Sequence, residues 1–291
     1  MARETSMNFP SHEFNLLSVE IAEGKLREIR ISKESLAEGA SFEPKSGVYT
    51  VDRTYPGERV LCMERHFDRL ESSAEREGIP VQLDRAMIRR SLHGLVRESG
   101  FGDVRFRISI DAEEPEVIHI SLERFRPVPG SLRAEGVQCA LMAIRRPHPE
   151  AKTLGWMHQR GDTPIPEGAY EGLLISPTEE ILEGYTSNVY AIVDGTLRTA
   201  EVGVLHGISR YIVLQVAPSL LPVRLDPILV SDLPRTEEAF LTSSTRGIIP
   251  IVSIDGRAIG TGKVGPRTRE LTLAYSQWVE AHLEPLVPDE A

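Results

Sequence analysis

Cysteine is scarce: the 291-residue chain has two, Cys62 and Cys139. They are far apart, which excludes a disulfide framework and a paired-thiol metal cluster. Two partly buried thiols in a reducing, cytoplasmic setting are the expectation. Lysine is scarcer than the charge total suggests. Of 33 basic residues, only Lys25, Lys33, Lys45, Lys152 and Lys263 are lysines. Chemistry that needs a primary amine therefore has few side chains to choose from. No apolar run is long enough to span a membrane, and the opening MARETSMNFPSHEF has no basic-then-apolar leader pattern. An excess of positive charge is missing too. The formal net charge is -10 and the pI about 5.4. A diffuse acidic surface repels nucleic acid and anionic lipid, so small molecules are the expected partners. No G-x-x-x-x-G-K-[ST], G-x-S-x-G, H-E-x-x-H or paired C-x-x-C occurs, which leaves nucleotide, triad-hydrolase and zinc readings without a motif. Internal repeats and low-complexity tracts are absent as well.

What is present has ordinary globular composition, 41% hydrophobic and 26% charged, at a length that suits one large domain or two of medium size. Residues 14 to 62 predict short strands, with a turn at Pro56-Gly57. RHFDRLESSAEREG predicts a helix ending at Gly78. DRAMIRRSLHGLVRESG predicts a second, with Ile88, Leu92, Leu95 and Val96 on one face and Gly100 at its stop. DVRFRISI alternates: Val104, Phe106, Ile108 and Ile110 share one face, Arg105, Arg107 and Ser109 the other. EVIHISLERF reads as its hairpin partner. The Pro- and Gly-rich stretch from 126 to 135 places a boundary between an N-terminal unit, 1–130, and a C-terminal one, 131–291. GVQCALMAI opens the second half as a strand, and Arg145 to Gly168 reads as irregular. Hairpins through Asp194-Gly195 and Asp255-Gly256, a helix over GISRYIVLQVAPSL, a strand EEAFLTSST and a C-terminal helix follow. Strands and helices do not alternate strictly, so the expected class is α+β.

Several residues could carry chemistry. Lys152 lies in RRPHPEAKTLGW, where two prolines and a glycine disfavour regular structure. It is either a solvated loop lysine or an amine whose pKa is lowered by burial and by Arg145 and Arg146. Glu183 is either a surface acid or the anion that keeps a proton on a pyridine nitrogen. In LHGISR, Gly207 precedes a helix start, so the N–H groups of Ile208 and Ser209 either await simple capping or receive a phosphate. The hydroxyl run Thr242 to Thr245 is either a surface loop or a second phosphate wall. Arg69 shares a helix face with His66 and either is exposed or pairs with a phosphate. Arg107 either points to solvent or holds a substrate carboxylate in a cleft.

The order and spacing of these pieces are more specific than any one of them. H-x-x-R-L at Arg69 is followed by K-T-L at Lys152, then by EGYTSNVYAIVDGTLRTA beginning 31 residues on at Glu183, then by LHGISR and TSSTRGIIPI. From about residue 47 to residue 252 this resembles the class IV pyridoxal-phosphate aminotransferases. That is the two-domain fold type IV group, which includes branched-chain and D-amino-acid aminotransferases and aminodeoxychorismate lyase. The resemblance implies a smaller N-terminal unit, a larger β-rich C-terminal unit, pyridoxal 5'-phosphate between them, and a homodimer. It implies that Lys152 holds the cofactor as an internal aldimine and shuttles a proton. Glu183 would pair with the pyridinium nitrogen. Arg69, the Ile208 and Ser209 N–H groups beside Gly207, and Ser244 would bind the phosphate, with Asn188 and Thr245 close by. Amino acids and keto acids would be the substrates. Two alternatives stay open, a lyase on the same cofactor and a relative that binds a ligand without turnover. The chain departs from the family where Gly155 stands in place of a frequent Asn, and Met157 in place of the branched-chain enzymes' Tyr.

Overall fold

The computed structural model describes residues 16–22, 25–31 and 44–288. The reading of residues 1–14 as free of a leader pattern lies outside them. Up to residue 125 the elements are β1 (Leu16–Ala22), β2 (Lys25–Ile31), β3 (Gly47–Arg53), β4 (Arg59–Leu61), helix α1 (Met63–Arg76), helix α2 (Arg85–Ser99), β5 (Val104–Asp111) and β6 (Ile118–Arg124). Five of these strands form an antiparallel sheet in the order β2-β1-β6-β5-β3. The alternation in β5 sets its faces. Val104, Phe106, Ile108 and Ile110 are fully buried and join Phe67 and Leu70 of α1 and Ile88 and Leu92 of α2 in one core. The other face is not solvated, because Arg107 and Ser109 are buried as well.

α2 has both of its expected ends: Asp84 accepts the Met87 N–H at 2.9 Å, and Gly100 stops the helix at φ 62°. α1 begins at Met63, whose N–H is received by Glu284 from the far end of the chain at 2.9 Å.

Beyond residue 125 come α3 (Gly130–Glu135), β7 (Val137–Met142), α4 (Leu154–Gly161), β8 (Glu171–Ile175), β9 (Glu180–Gly184), β10 (Asn188–Val193), β11 (Thr196–Arg198), α5 (Ile208–Val216), β12 (Val223–Arg224), β13 (Ile228–Leu229), β14 (Thr236–Ser243), β15 (Gly247–Ile254), β16 (Arg257–Ala258), α6 (Pro266–Ala281) and β17 (Leu283–Pro285). The second sheet runs β12-β11-β10-β14-β15-β7-β8-β9-β13, with β16 on β15. A further pairing of β10 with β9, at Asn188 and Glu183, closes β10-β14-β15-β7-β8-β9 into a ring. Both Asp-Gly hairpins form. Asp194 and Gly195 have φ of 49° and 73°, and Asp255 and Gly256 of 48° and 72°, the paired positive values that a two-residue hairpin turn requires.

The expectation of an irregular stretch from Arg145 to Gly168 is corrected by α4. Thr153 caps it, accepting the Trp156 N–H at 3.3 Å, and buried Leu154, Trp156 and Met157 hold it to the protein. The 126–135 stretch likewise carries the short α3. The chain also returns: β17 pairs with β4, and Arg89 of α2 donates to the Leu286 carbonyl at 2.9 Å. Among the described residues no helix is long and apolar enough to cross a membrane.

Phe67 is fully buried between the first sheet and the helices. Phe67→Ala is expected to lower unfolding free energy by about 3–5 kcal/mol in urea titrations, from lost transfer energy and a cavity. A loss below about 1 kcal/mol would show that this core collapses around the gap.

Candidate active site

Lys152 lies in the loop between β7 and α4, with its backbone pinned from two directions. Its carbonyl accepts the Tyr49 N–H of β3 at 3.0 Å, and its own N–H donates to Ser73 Oγ of α1 at 3.1 Å. The side chain lies against Tyr49, Nζ 4.8 Å from the ring centroid. Burial lowers the amine's pKa to about 7, helped by the positive charges of Arg69, Arg146 and Arg160 and opposed by Tyr49. Arg145, expected to contribute, is exposed, whereas Arg146 is buried. Burial raises the Tyr49 phenol, but Lys152, Arg160, Arg107 and Arg146 more than offset this and bring it to about 7. The two groups face each other, so a proton leaves the pair, rather than either residue alone, near neutral pH.

Glu183 ends β9 at the seam that closes the ring, 2% exposed. Arg146 donates to one of its oxygens at 3.0 Å and the Leu205 N–H to the other at 3.0 Å. Burial raises the carboxyl's pKa, and Arg146 and the Leu205 N–H hold it down. A carboxylate has about four acceptor sites, so each oxygen keeps one for a further donor. Arg146 also donates to the Ala151 carbonyl at 2.7 Å, which ties the acid to the residue before Lys152. The sequence gives Arg146 only as a positive neighbour. Its role as Glu183's partner depends on a contact 37 residues away.

Asn188, across the seam, donates to the Leu205 carbonyl at 2.7 Å. Gly207 follows, and a Cβ there would meet Asn188 Oδ1 at 2.3 Å, so a larger residue would displace the Asn188 side chain. Gly207 opens α5 without a side-chain cap, which leaves the first N–H groups of the helix open to an anion. The Ser209 hydroxyl is engaged behind the wall, 2.8 Å from the Tyr275 hydroxyl, leaving its backbone N–H for that role.

Opposite stand Ser244 and Thr245, in the turn between β14 and β15. Arg246 braces the turn by donating to Ser243 Oγ at 2.8 Å, Thr186 Oγ1 at 2.7 Å and Glu171 at 2.8 Å. Buried Glu171 also receives the Thr186 N–H at 2.6 Å. The sequence offers no signal for this brace. Arg69 reaches the same space from α1. Its Nη2 donates to Thr50 Oγ1 at 2.9 Å, and Thr50 Oγ1 lies 2.7 Å from His66 Nδ1. Burial lowers the guanidinium to about 10, so it stays charged at neutral pH.

The expected site residues line one cavity of about 440 Å³, within the usual size range of small-molecule sites. Lys152, Glu183 and Asn188 are on its wall, as are Gly207 to Ser209, Ser244, Thr245 and Arg69. Arg107 is there too, 3% exposed and 5.6 Å from the Tyr49 ring centroid, so it faces the cleft and not solvent. Tyr49, Arg146 and Arg160 complete the wall, and sequence reasoning had not singled out Tyr49 or Arg160. The donor set suits a phosphorylated aromatic aldehyde. An anion would sit at α5 and Arg69, a carbonyl at the amine, and a ring N–H at the carboxylate.

Because the free amine prevails above the pKa, the pair of Lys152 and Tyr49 is expected to lose a proton near pH 7, well below an ordinary lysine at 10.5. NMR of 13C-dimethylated protein, which carries only five lysines, reads this directly. Resonances that all titrate above pH 9.5 would contradict it.

A family model described as Amino-transferase class IV matches residues 47–254. The chain is similar to the D-alanine aminotransferase of Staphylococcus aureus (strain N315), 33% identical over 107 residues, a stretch that spans 36% of this chain and 38% of that relative's length. It is 28% identical to the D-alanine aminotransferase of Listeria monocytogenes (serotype 1/2a, strain 10403S) over 255 residues, covering 80% of this chain and 87% of the relative. Among solved structures, the T.th. branched-chain amino acid aminotransferase with pyridoxamine 5'-phosphate shares the fold at 20% identity, with a TM-score of 0.78 over 93% of this chain and 98% of the other. The matched span runs from β3 to the end of β15 and so contains Arg69, Lys152, Glu183 and the α5 N-terminus: the chain belongs to the class IV aminotransferase family.

Proposed function

We propose that this protein is a pyridoxal-phosphate-dependent aminotransferase, moving an amino group between an amino acid and a 2-keto acid. The observation that carries the reading is the pairing, in one cavity, of a lysine whose amine is lowered to about 7 with a carboxylate buried against Arg146. In this reading Lys152 holds the cofactor's aldehyde and Glu183 accepts the ring N–H. Arg69, the Ile208 and Ser209 N–H groups and Ser244 hold the phosphate, with Thr245 and Asn188 close by and Asn188 keeping the loop before α5 in place. The cofactor, when bound, supplies a protonated ring that draws electrons from the substrate's α carbon.

The protein's own residues do the rest. Lys152 Nζ, uncharged near neutrality, is the base that takes the α proton, and as the ammonium it is the acid that returns one. Its low pKa matches it to both tasks at one pH. Glu183 has a raised proton affinity and so makes a strong acceptor. Arg146 keeps that acceptor oriented and anionic. The uncapped α5 N-terminus and Arg69 fix the anionic end, so binding energy there aligns the reacting end. Arg107 holds the substrate's α-carboxylate. The reading places the cleft between units spanning 1–130 and 131–291 and includes a homodimer and a cytoplasmic location.

Single-turnover absorbance with a pool of amino acids tests the assignment. Lys152→Ala is expected to slow amino transfer by about 10³-fold or more, within the range that general acid–base groups contribute. Glu183→Gln is expected to slow the amino-acid half-reaction by at least about 100-fold, while Arg69→Gln acts chiefly by weakening cofactor binding about 30-fold. Full activity in Lys152→Ala would overturn the reading.

A further inference from the structure

Every second residue of β3 faces the core. Val48, Thr50 and Asp52 stand opposite Ile110, Ile108 and Phe106 of β5, which belong to its fully buried apolar face, so all three point the same way. Val48 joins that core. Thr50 and Asp52 are polar, yet each is 1% exposed or less, and so is His66, which α1 brings against them. Apolar side chains at 50 and 52 would continue the core and avoid the desolvation that a hydroxyl and a carboxyl incur there. The proposed reaction gives Asp52 no task.

These buried polar groups form one chain that ends at the cavity. Asp52 Oδ2 lies 3.5 Å from His66 Nε2, a nitrogen with no hydrogen-bond partner among the described residues. The other ring nitrogen, Nδ1, is 2.7 Å from Thr50 Oγ1, which accepts from Arg69 Nη2 at 2.9 Å. Arg69 is on the cavity wall, whereas Thr50, His66 and Asp52 stand behind it. Burial raises the Asp52 carboxyl to about 8, against the Arg53 and Leu61 N–H groups and the charges of Arg53 and Arg69. Burial, with the charges of Arg69 and Lys152, holds His66 well below the usual imidazole range, so the ring is neutral at pH 7. A neutral imidazole has one N–H and one lone pair, and so can join a carboxyl on one side to a hydroxyl on the other. With one nitrogen held by Thr50, the Arg69 guanidinium keeps other donors for an anion, among them Nε, which is buried without a partner among the described residues.

We propose that Asp52 is a positioning residue of the cofactor site: through His66 and Thr50 its carboxyl holds Arg69 in the orientation that grips the cofactor's phosphate. The proposal rests on the aminotransferase reading and deepens its phosphate site. A long arginine side chain gives up rotamer freedom when it binds an anion, and one held in place beforehand gives up less.

Such an effect is confined to the phosphate. Pyridoxamine 5'-phosphate and pyridoxamine differ in that group alone, and calorimetry of the cofactor-free protein reads the affinity of each. Thr50→Val keeps the shape and removes the hydroxyl. It is expected to weaken the phosphorylated ligand by about 10-fold, the size of a lost hydrogen bond to a charged group, and to leave pyridoxamine within about 2-fold. Thr50→Ser is expected to restore the difference. Asp52→Leu, which can neither donate to His66 nor accept from it, is expected to weaken the phosphorylated ligand by at least about 5-fold, and Asp52→Asn to keep part of the affinity. In an Arg69→Gln background neither Thr50→Val nor Asp52→Leu is expected to act further, because both work through that guanidinium. Should one of these variants not fold, the other decides. An Asp52→Leu protein that binds like the wild type, equal weakening of both ligands, or an effect that persists beside Arg69→Gln would overturn the proposal. If the wild type binds neither ligand, the cofactor reading has failed, and inorganic phosphate takes their place. Phosphate binding that weakens in Thr50→Val and Asp52→Leu supports the positioning role, and no binding, or equal binding in all three proteins, overturns it.

Discussion

A carboxylate cannot be placed in a protein interior alone, and the need to compensate Glu183 organises the site around it. Removing one partner of a buried ion pair costs about 3–5 kcal/mol because the other charge is left uncompensated. Arg146 meets that need at 3.0 Å and, with the same guanidinium, holds the Ala151 carbonyl, so the loop bearing Lys152 is fastened to the acid. Glu183 is also one half of the pairing that closes the ring of strands, and Asn188 is the other. Asn188 in turn holds the Leu205 carbonyl and packs its amide oxygen against Gly207, the residue before α5. Amine, carboxylate and helix N-terminus are therefore positioned by one connected set of contacts.

The electrostatics follow from the same crowding. The surface is acidic in sum, but the cleft is lined by arginines, so the field inside favours anions that the rest of the molecule repels. Burial depresses Lys152, those arginines add to it, and the same positive charges hold the Tyr49 phenol low beside it. An amine that is free near neutrality and an anion-attracting cavity both come from burying one cluster of basic side chains.

Much of this was legible before the structure. The period-2 pattern of Val104 to Ile110, the Asp-Gly turns and the Gly100 stop are local signals, and each produced the expected element. The ordered run from H-x-x-R-L to TSSTRG brought together Arg69, Lys152, Glu183 and the α5 N-terminus, and one cavity now holds them all. What was hidden depends on distance. α4 was masked by Pro147, Pro149 and Gly155, and its stability comes from burying Leu154, Trp156 and Met157 rather than from propensity. The Glu171 brace and the Arg146 pairing have no local signature, because each is defined by residues far along the chain. The return of β17 to β4 is likewise a three-residue strand that only its partner specifies.

The most direct test of the central claim is chemical. The protein is mixed with pyridoxal 5'-phosphate, reduced with borohydride, digested and mapped by mass spectrometry. The account predicts a phosphopyridoxyl adduct on Lys152 in stoichiometric yield, with Lys25, Lys33, Lys45 and Lys263 unmodified. An adduct spread over the other lysines, or none at Lys152, would contradict it.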